Sequence, residues 1–123
     1  AASDVYKRQL MKLAIITART ACRVMRLVRA RDGQVPEAAR DLFEPDQIEL
    51  LAALQLKYEG RTAQQKNPHP PGTLAWAAWI IARLGGWKSS SKSESPPGAL
   101  TMRRGLAEFD GIWHGYTLGK KCS

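Results

Sequence analysis

The residue types that most often do chemistry in proteins are few in this sequence, and their spacing fits no common site. There are two histidines, His69 and His114, and two cysteines, Cys22 and Cys122. Zinc sites need several such ligands at short recurring spacings, and metalloprotease helices carry an HExxH motif. Because neither pattern is present, the sequence predicts no metal site. With no CxxC pair and no secretory signal, we expect both thiols to be free in a cytosol.

Carboxylates are more numerous, and paired carboxylates are the ligands of a two-metal nuclease. Each of them also has a simpler role as a helix cap, a surface charge or a linker residue. The candidates are Asp32, Asp41, Asp46, Glu49, Glu59, Glu94, Glu108 and Asp110. Phosphate-binding motifs of the GxGxxG or GxxxxGKS/T type are absent, so those motifs give nucleotide binding no support. We predict no catalytic residue here, and nuclease activity of this chain is the least favoured hypothesis.

Positive charge is the strongest signal in the composition. The chain has 19 Lys and Arg residues against 11 Asp and Glu, which gives a formal net charge of +8. Such a surplus favours polyanionic partners, because Lys and Arg release counterions from phosphates. Part of the surplus forms a stripe, Lys12, Arg19, Arg23 and Arg26, on a helix predicted from Leu10 to Arg31. The sequence leaves three interpretations of this stripe open. It is a solvated outer face, a surface that contacts phosphates, or the polar face of a helix on a membrane surface.

The same helix has an apolar face opposite the stripe. At about 100° per residue, that face comprises Leu10, Ala14, Ala21, Val24, Met25 and Val28. Two prolines then mark the starts of the next two helices. Pro36 suits the first turn of a short helix over residues 36–42, and Pro45 suits that of a helix from Asp46 to about Lys57.

A polar stretch and a capped helix come next. Residues 59–72 have no apolar period and are rich in proline, so they are predicted to form an extended linker. Thr73 can cap a helix that runs to Leu84, and the pair Gly85 and Gly86 can end it. The aromatic residues of this helix, with Trp87 just beyond it, are more typical of a core or a subunit contact than of base stacking.

A last helix is predicted from about Ala99 to Tyr116. Its apolar face comprises Leu106, Phe109, Ile112, Trp113 and Tyr116. Gly105, Gly111 and Gly115 each cost about 1 kcal/mol relative to alanine in a helix interior. Close packing on another chain would offset that cost. The alternative is that this face packs on the preceding helix of the same chain.

The first nine residues are interpreted as a non-native scar. AASDVYKRQ back-translates codon for codon to GCAGCGTCAGATGTGTATAAGAGACAG, which resembles a sequencing adapter. We therefore expect residues 1–9 to lie outside the fold, the natural polypeptide to enter before Leu10, and the chain to be a fragment.

Two blocks of the sequence resemble one enzyme family. Leu74–Trp87, LAWAAWIIARLGGW, and Pro97–Leu106, PGALTMRRGL, are similar to the C-terminal region of DDE transposases of the insertion-sequence-four family, in its Tn-five-like branch. The helix LMKLAIITARTACRVMRLVRARDG is similar to the one that follows the catalytic core of that family. FEPDQIELLAAL resembles a family segment with Pro-Asp before a leucine-rich helix. ARLGGW followed by PGxxTxxRG is the most specific part, and the likeness spans most of the chain.

The resemblance implies a parent enzyme whose RNase H-like core uses three carboxylates and two divalent ions, Mg²⁺ or Mn²⁺, to cleave and transfer DNA strands. The family's Tyr, Arg, Glu, Lys motif, which carries its last catalytic glutamate, is not in this sequence. In relatives the C-terminal helices form the subunit contact of a synaptic complex, which implies a homodimer on transposon-end DNA. By position, that contact comprises Gly98, Leu106, Phe109, Trp113, Gly115 and Tyr116. Lys88 and Lys92 are positional candidates for DNA contact.

The resulting prediction is an all-α fold, an irregular bundle of about four to five helices that forms the C-terminal part of a larger RNase H-like transposase. Residues 10–58 follow the catalytic core, residues 59–72 are the linker and residues 73–123 are the dimerisation helices. The predicted function is dimerisation and synaptic assembly of a cut-and-paste transposase. The alternative is an independent basic helical module that binds nucleic acid. No apolar run is long enough to span a bilayer, and we expect a bacterial cytoplasmic protein that joins the nucleoid when bound to DNA.

Overall fold

The computed structural model of the chain describes residues 2–89 and 95–122. Over these residues the fold is all-α, as the sequence predicts. The helices, in chain order, are α1 (Ala2–Ala30), α2 (Pro45–Tyr58), α3 (Leu74–Leu84) and α4 (Ala99–Cys122). Short 3-10 turns at Ala39–Asp41 and Ala63–Gln65 lie in the connections.

The helix α3 lies at the centre of the bundle. Thr73 precedes it in extended conformation, and its Oγ1 accepts a hydrogen bond from the backbone N–H of Trp76 at 3.1 Å. Every residue from Leu74 to Ala82 is buried, and α3 packs against α1, α2 and α4. A helix that is apolar all round must be covered all round. Gly86, at φ +99°, then provides the left-handed stop predicted for the Gly-Gly pair.

The helices α3 and α4 cross with their backbones in contact. A Cβ atom at Gly105 would lie 1.9 Å from the carbonyl oxygen of Ile81, and one at Gly85 would lie 2.1 Å from the carbonyl oxygen of Thr101. Both positions therefore require the absence of a side chain. At Gly105, the close packing that we expected with another chain is made within this one.

The helix α1 is longer than predicted, and mainly its C-terminal half is packed. It begins at Ala2 and so includes residues that we expected to lie outside the fold. The first half of the helix is exposed. Its large apolar side chains reach solvent at Val5, Tyr6, Leu10, Met11, Leu13, Ile15 and Ile16.

The buried face of α1 differs from the predicted one. It is centred on Val24, Leu27 and Ala30, of which only Val24 belongs to the predicted face. Met25, also on the predicted face, is 54% exposed. The contact surface is therefore rotated around the helix, because α3 and α4 approach α1 from a direction that the periodicity of α1 alone does not fix.

The segment after α1 does not form the helix predicted over residues 36–42. Only Ala39–Asp41 makes a 3-10 turn. Around that turn the backbone bonds to the start of α3 instead: the N–H of Ala39 donates to the carbonyl of Gly72, and the N–H of Leu74 donates to the carbonyl of Glu37, both at 2.8 Å. These bonds between distant segments satisfy the carbonyl of Glu37 and the N–H of Ala39, which a local helix would have bonded to nearby residues.

Asn67 anchors the predicted linker, residues 59–72, to the two neighbouring helices. Asn67 Nδ2 donates to Gln55 Oε1 at 3.0 Å and to the carbonyl of Trp76 at 3.1 Å. The backbone N–H of Asn67 donates to Glu59 Oε2 at 2.9 Å, and its Oδ1 accepts from the N–H of His69 at 3.1 Å. The core cluster draws residues from all four helices. The core cluster therefore includes residues from both sides of the linker.

Candidate assembly and nucleic-acid surfaces

Two of the residues predicted to form a dimer contact lie inside the chain's own core. Phe109 is fully buried and Leu106 is 2% exposed. The ring of Phe109 meets that of Phe43 edge to face, with centroids 5.5 Å apart and planes at 80°. The side chains of Leu106 and Phe109 are thus already covered by other parts of the same chain. The expectation of an intersubunit contact at Leu106 and Phe109 is therefore corrected to a role in the core.

The distal part of α4 emerges from that core. The helix continues past its predicted end at Tyr116 to Cys122. Trp113 is partly buried against the core, and its ring centroid lies 5.7 Å from that of Tyr116, which is 39% exposed. Leu118, further along the helix, is 49% exposed. The rings of Trp113 and Tyr116 therefore form an aromatic surface that begins in the core and runs out onto the exposed helix. Leu118, two residues after Tyr116, lies on another side of the helix.

A lysine adds charge to this distal surface. Lys120 Nζ lies 4.8 Å from the ring centroid of Tyr116, within the range of a cation–π contact. The pKa of Lys120 is raised, first by a hydrogen bond to Tyr116 and then by the charge of the same group, with further contributions from Asp46 and Glu49. A lysine is charged at neutral pH even at its ordinary pKa, so this contact places a full positive charge beside an exposed aromatic ring.

Three glycines on α4 have no packing partner among the described residues. A Cβ atom at Gly111, Gly115 or Gly119 would meet nothing within 4 Å. They recur every four residues, so they follow one side of the helix as a strip. Gly98, the remaining predicted interface residue, precedes α4 and accepts a hydrogen bond from the N–H of Met102 at 3.0 Å. A Cβ atom at Gly98 would also meet nothing within 4 Å.

The predicted basic stripe of α1 divides into two halves. Arg23 pairs with Asp110 at 3.3 Å and stacks over the ring of Phe43. Arg26 donates to the carbonyl of Asp41 at 3.2 Å and pairs with Glu37 at 3.5 Å. Both arginines therefore hold α1 to the rest of the bundle.

The other half of the stripe is open to solvent. Lys12 and Arg19 are exposed on the unpacked part of α1. Lys88, a positional candidate for DNA contact, is also exposed, and its carbonyl accepts a hydrogen bond from Arg83. The structure therefore does not bring the predicted DNA-contacting residues into one cluster: Arg23 and Arg26 are engaged within the bundle. Lys92 lies outside the described residues.

Neither a metal-ligand cluster nor a membrane span occurs in the part of the chain that the structure describes. Residues 2–89 and 95–122 contain no group of three or more His, Cys, Asp and Glu side chains that could hold an ion. In those residues, no helix combines the length and apolarity needed to cross a bilayer. Cys22 is exposed and is not in a disulfide.

Sequence reasoning missed the polar contacts between distant segments. Arg31 Nη1 donates to the carbonyl of Pro97 at 2.7 Å, and Arg83 Nη2 donates to the carbonyl of Tyr58 at 3.3 Å. The acceptors are backbone carbonyls far away in sequence, and every residue has one, so no residue pattern marks them. No model of a known protein family matches the chain.

Proposed function

We propose that this chain is the C-terminal assembly region of a DDE transposase, and that it pairs with a second copy through the distal part of α4. The transposase assignment rests on the resemblance of the Leu74–Trp87 and Pro97–Leu106 segments to that family. The pairing rests on one structural observation. The strip formed by Gly111, Gly115 and Gly119 carries a cost in helix stability that nothing packed against it in the described part of the chain offsets.

The neighbouring side chains favour a protein partner on this part of α4. Glycines recurring every four residues allow two helix backbones to approach closely, as Gly105 does against α3. Tyr116 and Leu118 are exposed and flank the strip on opposite sides. Tyrosine is enriched at protein interfaces, where its ring is covered and its hydroxyl stays hydrogen-bonded. The surface thus combines room for a close helix with side chains that gain from being covered.

Strand cleavage and transfer belong, in this proposal, to the full-length enzyme. The family uses Mg²⁺ or Mn²⁺ held by carboxylates of its core. The described residues of this chain do not provide such a ligand set, since no three candidate ligands lie together. In this proposal the metal-dependent steps belong to the core of the full-length enzyme.

Independent nucleic-acid binding by the α1 stripe is a weaker candidate. Of the four stripe residues, Arg23 and Arg26 are engaged in ion pairs within the bundle. Lys12 and Arg19 remain exposed and keep this candidate testable.

Sedimentation equilibrium of the full chain beside a Gly115→Leu variant tests the proposal. The open space at Gly115 admits a leucine in the monomer, and leucine is better than glycine in a helix by about 0.8 kcal/mol. The variant is therefore expected to fold at least as well as the parent chain. A second helix could no longer approach, so we expect the parent chain to dimerise with concentration and the variant to stay monomeric.

A matched control adds the same side chain elsewhere. Ala53 is exposed on α2, and Ala53→Leu should dimerise like the parent chain. A parent chain that stays monomeric throughout, or a Gly115→Leu variant that dimerises as well as the parent, contradicts the proposal. Trp113 is unsuitable for this test because it packs on the core.

A further inference from the structure

A cavity lies where the linker, the end of α1 and the loop after α3 meet, and we call it the linker pocket. Its volume is about 260 Å³, and it is open to solvent on one side. The residues that give it chemical character are Arg31, Lys66, His69, Trp79, Trp87 and Ser89. None of them belongs to the distal part of α4, so the pocket is separate from the proposed assembly surface.

The polar side chains of the linker pocket favour an anion. Arg31 and Lys66 carry full positive charges, and His69 and Ser89 can donate hydrogen bonds. Among the described residues, no carboxylate side chain lines the cavity. The guanidinium of Arg31 and the ammonium of Lys66 are together complementary in charge to a phosphate group, which accepts several hydrogen bonds at once.

The remaining wall of the pocket is aromatic. Trp79 and Trp87 both line it, and Trp87 Nε1 donates to the carbonyl of Ser95 at 3.2 Å, which holds the indole in one orientation. Indole rings provide flat apolar surface on which a nucleobase can stack. A ligand with both a phosphate and a planar ring therefore uses the whole lining.

The walls of the pocket are held in place before any ligand arrives. Arg31 is fixed by its hydrogen bond to the carbonyl of Pro97. His69 is fixed on two sides: its N–H donates to Asn67, and its ring lies so close to Gly33 that a Cβ there would be 3.2 Å from Nδ1. Preformed walls reduce the entropy lost on binding.

From these observations we propose that the linker pocket binds one nucleotide, with its phosphate at Arg31 and Lys66 and its base against Trp87. Ligand pockets for small molecules usually measure roughly 300 Å³ or more. At about 260 Å³ the cavity lies just below that range, so one nucleotide is the largest unit of a strand that it could take. This proposal does not depend on the assembly role.

Calorimetric titration of the full chain at low salt tests it, with deoxyadenosine 5′-monophosphate, deoxyadenosine and inorganic phosphate as separate probes. We expect the nucleotide to bind about tenfold more tightly than deoxyadenosine or inorganic phosphate, because deoxyadenosine lacks the phosphate contacts and phosphate lacks the stacked base. Lys66→Gln should weaken nucleotide binding about tenfold by removing a charge-assisted hydrogen bond. Lys66 is exposed, so this change spares the core.

Arg61→Gln is the matched control, because Arg61 lies in the same linker, is exposed and does not line the pocket. Nucleotide binding unchanged in Arg61→Gln and weakened in Lys66→Gln supports the site. Equal losses in both variants, phosphate binding as tight as that of the nucleotide, or no binding at all overturns it. Sedimentation of Lys66→Gln, which should associate like the parent chain, keeps this outcome separate from the assembly test.

Discussion

Glycine has two opposite consequences along α4. At Gly105 the missing side chain lets the helix touch the backbone of α3, since a Cβ atom would lie 1.9 Å from the Ile81 carbonyl oxygen. At Gly111 a Cβ atom would meet none of the described residues within 4 Å, so the glycine only lowers helix stability within the chain. The same residue type therefore stabilises the bundle at one position and destabilises the helix two turns later.

Alanine substitution separates the two cases. Gly105→Ala should lower the free energy of unfolding by at least about 2 kcal/mol, because the added methyl group forces α3 and α4 apart. Gly111→Ala should raise it by about 1 kcal/mol through helix propensity. Urea unfolding followed by circular dichroism measures both. If Gly105→Ala unfolds at the parent's urea midpoint, the helices do not cross as closely as described.

Single residues with local roles were predictable from the sequence. Thr73 caps α3 and Gly86 ends it, because both roles depend only on the residue and its immediate neighbours. Leu106 and Phe109, by contrast, are expected in a subunit contact and lie in the core. Their spacing identifies a buried face of α4, but spacing does not say whether the covering surface belongs to the same chain.

At the scale of elements, the connection between α2 and α3 shows how a proline-rich stretch becomes part of the fold. Asn67 bonds to Gln55 on α2, to the carbonyl of Trp76 on α3 and to the N–H of His69. Three segments that are apart in sequence are thus joined by one side chain. Composition predicts the absence of a helix in residues 59–72, and the bonds of Asn67 and Gly72 to distant residues determine where the stretch lies.

Removing that side chain should loosen the connection. Asn67→Ala leaves the Trp76 carbonyl and the His69 N–H without their partner, and we expect a loss of about 2 kcal/mol in the free energy of unfolding. Cleavage of residues 59–72 by a protease should speed up in the variant at a concentration that leaves the parent chain intact. Gln34→Ala, at an exposed position of another loop, is the control and should match the parent.

The ends and the buried faces of the helices were partly predictable from the sequence. The start of α2 at Pro45 follows from the proline and the acidic residues around it. The buried face of α1 did not follow, because its exposed half is as apolar as its packed half and periodicity cannot tell them apart. Pro36 gave a helix signal that backbone bonds to the start of α3 override.

For the whole molecule, the net charge of +8 is spread over several surfaces, and part of it is neutralised by ion pairs such as Arg23 with Asp110. The charge at Lys12 and Arg19 projects from the unpacked half of α1. At moderate ionic strength, exposed charges of this kind interact with other charges over about 10 Å, because salt screens them at longer distances. Any attraction to DNA should therefore depend on salt.

Replacing Lys12 and Arg19 with alanine tests whether α1 contacts phosphates. If it does, the slope of log affinity for duplex DNA against log salt should fall by about 2, since two phosphate contacts are lost. Stability should hardly change, because both residues are exposed. The pair Arg40→Ala and Lys57→Ala removes the same charge from other exposed positions. An equal change in that control would mean that net charge alone governs binding.

The glycines at the α3–α4 crossing and those on the distal part of α4 should vary differently among related sequences. Gly85 and Gly105 are fixed by the backbones that they touch, so any chain that folds in this way should keep them, whatever it does. Gly111, Gly115 and Gly119 are under no such constraint from the described fold, and mutation should replace them with better helix formers over time. If they persist in diverged sequences that have lost other exposed residues, selection has been acting on a surface that one chain alone does not use.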